Sequence, residues 1–338
     1  MAKKNDIILR ELAQWRDQGQ IGQDVYQRLA PQYQGRTWDF AAIVRWSLII
    51  GAVMLGVGLI SFITLIIHSL SFVALVLTIL CGTAFWYGFQ LTDPKRGRFF
   101  PKTGNALIAV ACLLLCGDVF TVGKLLSTGG GNWPLLVLIT SVIYFAVAYG
   151  TKNTLVLVFA LLGLATWFGA ESGYVSGWGA YYLGLNYPMR FALASPLVIA
   201  AGYLHRKFLA GRLPDSFART YYSLGLLYLN LSLWLMSIFG NYGDIHRWQE
   251  VRQYQLLWYT IAWTVAIVVV FAIGARFRNR MFVNYAIVFG VIDLYTRYFE
   301  YLWNELHKSL FFIILGAVSV AAGLFFERRL RHRDEVIS

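Results

Sequence analysis

Apolar runs of about 20 residues alternate with short polar or basic segments along most of this chain. A helix needs about 20 apolar residues to cross the hydrocarbon core of a bilayer, so each run predicts a transmembrane helix. The pattern predicts an all-α, polytopic transmembrane helix bundle of about ten spans. The predicted spans are residues 44–66, 71–90, 104–124, 133–150, 153–170, 190–205, 217–239, 255–275, 281–301 and 309–326.

An amphipathic segment before the first span predicts a short helical hairpin with a turn at Gly19–Gly22. Its apolar positions recur at helical spacing on both sides of that turn: Ile8, Leu12, Trp15, Val25 and Leu29. A hairpin of this size cannot bury a core of its own. Two interpretations are open, a docking element for a protein partner or a second copy of the chain, and a solvated leader.

Basic residues collect on one side of the predicted membrane. With the N-terminus in the cytoplasm, 23 of the 29 Lys and Arg residues fall in or beside the cytoplasmic segments. The positive-inside rule therefore predicts cytoplasmic N- and C-termini. The chain is thus expected to comprise a cytoplasmic hairpin at 1–40, a membrane domain at 41–330 and a basic tail at 331–338.

Composition supports a membrane protein over a nucleic-acid-binding one. Hydrophobic residues make up 58% of the chain, charged residues 14%, and the mean hydropathy is +0.57. These values indicate one membrane domain whose main partner is the lipid bilayer. The net charge of +12 comes from short clusters between spans, so we expect no nucleic-acid partner. The segment before the first span lacks the apolar core of a cleavable signal peptide.

A polar stripe at the outer end of the ninth predicted span is the candidate functional element. Ionisable groups inside hydrocarbon each cost roughly 2.5–3.5 kcal/mol on insertion scales, so the stripe should meet protein partners or a wet cavity. Successive members are four, three, four and three residues apart, which places them on one helix face. They are Asp293, Arg297, Glu300, Asn304 and His307.

Helical rise gives Asp118 of the third predicted span a depth similar to that of Arg297. Asp118 lies about 21 Å along its span and Arg297 about 24 Å along the ninth. We expect Arg297 to be neutralised by Asp118, Asp293 or both, in an outward-facing polar pocket that also includes Glu300 and Lys124. Such a cluster could be a static ion-pair network that fixes helix register, or a site for a substrate or ion.

Catalytic and metal-binding motifs are missing from the sequence. It contains neither His-Glu-x-x-His nor Gly-x-Ser-x-Gly, and no axial histidine pair suited to haem. We therefore expect a protein that is not an enzyme, with no catalytic residues, no metal and no cofactor. Cys81, Cys112 and Cys116 all lie inside apolar runs, where cysteine usually behaves as a small apolar side chain.

Several stretches together resemble a known family. They are Leu12-Ala-Gln-Trp15 with Gly19-Gln-Ile21, Leu113-Leu-Leu-Cys-Gly117, Lys308-Ser-Leu-Phe-Phe-Ile-Ile-Leu-Gly316 and Gly323-Leu-Phe-Phe-Glu-Arg-Arg329. They resemble bacterial predicted membrane proteins of the family called domain of unknown function 2157. The resemblance implies a location in the bacterial inner membrane and no settled activity. Cys116 stands where a small residue, commonly glycine, is expected.

Two functions of different classes fit these observations. The first is a non-enzymatic membrane subunit or scaffold that binds partners through the hairpin. The second is a transporter of a small solute, ion or lipid that uses the outward-facing pocket, since ten spans divide into two inverted halves of five. The halves do not align, and no Gly/Pro-broken helices occur at matching positions. The sequence therefore favours the subunit.

Overall fold

Helices form almost all of the described part of the chain. A computed structural model describes residues 11–33, 40–66, 69–94, 99–126, 133–171, 183–242, 250–302 and 307–310, with position 248 and some positions from 312 to 320. The helices are α1 (Gln23–Tyr33), α2 (Phe40–Ile66), α3 (Leu70–Thr92), α4 (Pro101–Leu126), α5 (Trp133–Thr151), α6 (Thr154–Glu171), α7 (Tyr187–Phe208), α8 (Asp215–Phe239), α9 (Gln253–Arg276) and α10 (Arg280–Leu302). Residues 11–17 are also helical.

Helix length and an apolar exterior both fit a bilayer. Within the described residues, six helices are long and apolar enough to cross a membrane: α2 (from Trp46), α3, α4, α5, α8 and α9 (from Tyr254). Large apolar side chains stay exposed along them, including Leu65 at 75% and Trp258 at 77% exposure. Hydrocarbon solvates such side chains, and a helix satisfies its backbone polar groups internally. The predicted all-α, multi-pass membrane bundle is therefore confirmed.

Three further helices coincide with predicted spans but are too short or too polar to belong to that group of six. α6 is apolar but shorter, at Thr154–Ala170. α7 and α10 carry charged side chains within their length, which lower their hydropathy. Of the predicted span 309–326, residues 309, 310, 312–314, 316, 317 and 320 are helical, and residues 321–326 lie outside the described part of the chain. The number of ten spans stays a prediction.

α4 is the central helix of the first of two compact units, Met1–Phe168. It packs against α2, α3 and α5, and its Ile108 and Ala109 are completely buried. The backbones of α3 and α4 approach closely at two glycines. A Cβ on Gly104 would lie only 2.9 Å from the carbonyl oxygen of Gly88, so small residues are required there.

The N-terminal pair of helices closes through a glycine turn. The helix at residues 11–17 ends at Gly19, which adopts φ +70° and donates its amide to the carbonyl oxygen of Arg16 at 3.0 Å. Glycine is favoured in this left-handed conformation because it has no Cβ. The guanidinium of Arg16 also lies 4.6 Å from the ring centroid of Tyr26 on α1, which links the two helices.

α8 is the central helix of the second compact unit, Gly169–Ser338. It packs against α7, α9 and α10. The core shared by α8, α9 and α10 includes Leu226, Trp263 and Phe289, of which the first two are fully buried. Because this core holds the three helices together, polar side chains beyond it can meet across the helix interfaces.

Candidate functional site

Three charged side chains of α10 form the centre of the candidate site. Asp293, Arg297 and Glu300 are four and three residues apart and share one helix face. Arg297 Nε lies 3.5 Å from Asp293 Oδ1, and Arg297 Nη1 forms an ion pair with the Glu300 carboxylate. Two carboxylates thus flank one guanidinium, which gives the cluster a formal charge of −1 when all three groups are ionised.

Hydroxyl groups of two neighbouring helices bond to this cluster, and Asp293 Oδ1 and Arg297 Nε are left without a hydrogen-bond partner among the described residues. On α9, Thr260 accepts a bond from Arg297 Nη1 at 3.0 Å, and Thr264 donates to Asp293 Oδ2 at 2.8 Å. On α8, Ser237 accepts a bond from Arg297 Nη2 at 2.9 Å. The charges of α10 are therefore tied to both helices on which α10 packs.

Two neutral hydrogen bonds extend the same interface between α8 and α10. Trp234 Nε1 donates to the hydroxyl of Thr296 at 3.0 Å. Nearer the opposite end of the helices, the hydroxyls of Ser223 and Tyr285 lie 2.8 Å apart. Polar bonds thus occur on both sides of the apolar core and fix the register of α8 against α10.

The charged cluster is largely shielded from solvent. The side chains of Asp293, Arg297 and Glu300 are 11%, 17% and 18% exposed. Charge-assisted hydrogen bonds are strong at such sites, and a charge that loses its partner there is destabilising. This arrangement has the geometry of an ion-pair network within one unit.

Asp118 and Lys124, the other members of the predicted pocket, lie on α4 in the first unit. Asp118 Oδ2 accepts a bond from Thr78 of α3 at 2.8 Å, while its buried Oδ1 has no hydrogen-bond partner among the described residues. Lys124 is exposed and lines a cavity of about 430 Å³ together with Thr64 and Thr121. Asp118 does not line this cavity. A pocket that joins these two residues to the charges of α10 stays a prediction.

The polar stripe of α10 is shorter than the sequence predicts. α10 ends at Leu302, and Asn304 lies outside the described residues. His307 is exposed and non-helical, and it directly precedes the helical residues 308–310. Helical spacing therefore does not carry the stripe as far as His307. Within the described residues it consists of the three charged side chains.

Sequence analysis did not identify the hydroxyl partners on the neighbouring helices. Thr260 and Thr264 are four residues apart on α9, and that spacing on an otherwise apolar helix is the signal that could have found them. Ser237 gives no such signal because it stands alone and also donates to the Trp234 carbonyl oxygen at 2.7 Å. A single serine in a membrane helix commonly makes only this local bond.

The residues predicted to dock a partner differ in exposure. Ile8 lies outside the described residues. Leu12 is only 4% exposed and Leu29 is half-buried, so the side chain of Leu12 is not accessible to a partner in this structure. Trp15 and Val25 are exposed at 42% and 39%. Trp15 and Val25 are therefore the accessible part of the predicted docking surface.

The cysteines pack inside the first unit. Cys81 and Cys112 are buried, and the thiol of Cys81 lies 3.4 Å from the carbonyl oxygen of Ala111. The hydroxyl of Tyr144 on α5 donates to the carbonyl oxygen of Cys112. No group of three or more His, Cys, Asp or Glu side chains in the described ranges is arranged to hold a metal ion.

The fold and the internal charges define a multi-pass α-helical membrane protein. Residues 13–157 match the model of the family described as "Predicted membrane protein (DUF2157)", which confirms the resemblance over that part of the chain. The match falls within the first compact unit and includes residues 113–117, but not 308–316 or 323–329. Neither a curated protein nor a solved structure matches the chain.

Replacing Arg297→Leu should destabilise the second unit by about 3–5 kcal/mol, because two largely buried carboxylates lose their common partner. The measurement is the midpoint of thermal unfolding in detergent. Arg276→Leu is the matched control, since Arg276 is exposed at the end of α9. Replacing Asp293, Arg297 and Glu300 together by Leu, Met and Leu should restore most of the loss. Equal midpoints for Arg297→Leu and Arg276→Leu would contradict the pairing.

Proposed function

We propose that this chain is a non-enzymatic subunit or scaffold of the bacterial inner membrane, with both termini in the cytoplasm. It engages a protein partner or a second copy of itself through its N-terminal helical pair. The observation that carries the proposal is the internal pairing of the α10 cluster. Arg297 Nη1 bonds to Glu300 and Thr260 and Nη2 bonds to Ser237, while Nε and the facing Asp293 Oδ1 have no hydrogen-bond partner among the described residues. The guanidinium is therefore bound mainly by groups of the fold itself.

The exposed apolar side chains of the N-terminal pair support the docking role. Leu12 and Ala30 are each 4% exposed, whereas Trp15 and Val25 are exposed at the surface. Aromatic side chains such as tryptophan often supply the largest single contributions to protein interfaces. A binding element in this segment, ahead of the first membrane helix, can recruit a partner without disturbing the packing of the bundle.

The distribution of basic residues supports the proposed orientation. The turn between α5 and α6 contains Lys152, and the turn between α9 and α10 contains Arg278. The segment between α7 and α8 contains Arg212. All three connections lie on the side that the positive-inside rule assigns to the cytoplasm.

The docking proposal is tested by co-isolation of two differently tagged full-length copies, with stoichiometric partners quantified in the same eluate. Trp15→Ser combined with Val25→Ser should reduce the co-isolated copy or partner about tenfold, as expected for loss of an interface hot spot. Gln14→Ser with Gln27→Ser is the matched control, because both glutamines are exposed on the same two helices. Equal recovery with both double variants, or no co-isolated protein with the wild type, would refute docking.

Transport of a small solute, ion or lipid is a second candidate function, and two observations favour it. The boundary at Phe168 and Gly169 divides the ten predicted spans into five and five. Asp118 also retains a buried carboxylate oxygen without a hydrogen-bond partner among the described residues. An unsatisfied carboxylate within a span is a typical feature of an ion or proton path.

Maleimide labelling of intact membranes distinguishes the two functions. A transport path predicts that Asp118→Cys reacts with a membrane-impermeant maleimide, whereas a sealed subunit predicts no more labelling than the wild type. The background is Cys116→Ser, because Cys116 is partly exposed whereas Cys81 and Cys112 are buried. Lys124→Cys, exposed farther along the same helix, serves as the positive control. Absence of labelling at position 118, with labelling at 124, would exclude transport through Asp118.

A further inference from the structure

An arginine-rich cavity lies at the end of the second unit opposite the α10 ion-pair cluster. It has a volume of about 680 Å³ and opens where the α7–α8 connection meets the turn between α9 and α10. Four arginines line it, and Ala218 and Tyr222, both buried, form part of its wall. The four are Arg206, Arg219, Arg278 and Arg280.

The charge of this cavity is strongly positive. Among the described residues of its lining, Asp215 is the only acidic one, so four guanidinium groups face one carboxylate there. None of the four arginines forms an ion pair with an acidic side chain in the described part of the chain. Asp215 is also the first residue of α8, where a carboxylate offsets the positive end of the helix. The guanidinium groups therefore remain available to an anion.

The turn that carries Arg278 has a fixed backbone. The amide of Asn279 donates to the carbonyl oxygen of Gly274 at 2.8 Å, and the amide of Arg278 donates to the carbonyl oxygen of Ala275 at 3.3 Å. Asn279 Oδ1 in turn accepts the amide of Met281 at 3.1 Å and caps the start of α10. These are the bonds of a Schellman motif followed directly by an N-cap.

Arg278 occupies the one position of this motif that normally holds glycine. Its φ is +52°, in the left-handed region where a side chain is disfavoured. Glycine would relieve the backbone but would remove a guanidinium from the cavity. An arginine in a strained position is explained if its side chain has a function.

We propose that this cavity binds a phosphate group, presented either by an anionic phospholipid headgroup or by a soluble phosphate ester. Guanidinium groups donate paired hydrogen bonds whose spacing matches phosphate oxygens. The cavity lies at the helix ends that the proposed topology assigns to the cytoplasmic membrane surface, where headgroups are found. Phe277, next to Arg278 and 75% exposed, adds an apolar surface beside the charges. Basic pockets between transmembrane helices on this side commonly bind acidic lipids.

The test uses purified full-length protein in neutral detergent. Binding of tail-labelled phosphatidylglycerol is compared with that of tail-labelled phosphatidylcholine, and glycerol 3-phosphate is titrated separately by calorimetry. Arg278→Gly should weaken binding of the phosphate ligand about tenfold, as expected for loss of a charge-assisted bond. The same variant should unfold at an equal or higher temperature than the wild type, because glycine suits the turn.

Arg276→Gln is the matched control, since it removes a nearby charge that does not line the cavity. It should change the dissociation constant less than about twofold. Phosphatidylglycerol binding without glycerol 3-phosphate binding identifies the lipid as the source, and the reverse identifies a soluble ester. Binding of neither ligand, or equal loss in Arg276→Gln and Arg278→Gly, would overturn the proposal. So would equal binding of phosphatidylcholine and phosphatidylglycerol.

Discussion

The high free energy of a lone charge in hydrocarbon governs this structure. Each ionisable group placed there costs roughly 2.5–3.5 kcal/mol on insertion scales, so charges must lie at helix ends or be paired. Most basic residues lie at helix ends, between the apolar runs. Arg297 lies within a helix instead and is paired with Asp293 and Glu300 of the same helix. α10 can be part of a membrane bundle because its arginine is paired with carboxylates and the cluster is bonded to hydroxyls of the neighbouring helices.

Pairing of charges on one helix does not by itself hold helices together. The hydroxyls of Ser237, Thr260 and Thr264 do so, because they connect the paired charges of α10 to α8 and α9. The shared apolar core, with Trp263 fully buried, brings these helices close enough for such bonds. A polar network of this kind contributes more to a unique arrangement than to net stability, since burying charge offsets much of the electrostatic gain. A fixed arrangement is what a scaffold requires.

The sequence predicts the helices well because the bilayer allows so few alternatives. Apolar runs of membrane-spanning length must be helical, and helical spacing alone brought Asp293, Arg297 and Glu300 to one face. The same reasoning overextended the stripe, because spacing cannot reveal that His307 lies outside the helix. It includes α10 among the predicted spans, at 281–301, although the charged side chains of this helix lower its hydropathy.

Partners across helices could not be predicted from spacing. Thr78 and Asp118, which share a hydrogen bond, are 40 positions apart in the sequence. Thr260 and Thr264 are separated from their partners on α10 by comparable distances along the chain. A threonine in an apolar helix usually bonds to its own backbone, so the four-residue spacing of Thr260 and Thr264 marks a polar face of α9 but not the residues of α10 that this face meets. From the sequence, the arginines of the cavity likewise indicate only on which side of the membrane they lie. Its concave shape depends on two distant turns meeting at one end of the second unit.

The orientation of the chain supports both the docking and the phosphate proposals, and paired reporter fusions measure it directly. Alkaline phosphatase, active only outside the cytoplasm, and green fluorescent protein, fluorescent in the cytoplasm, are fused in separate proteins after Ser338. Sorting of the basic residues to the inner side predicts a fluorescent fusion and an inactive phosphatase. An active phosphatase with a dark fluorescent fusion would contradict the account.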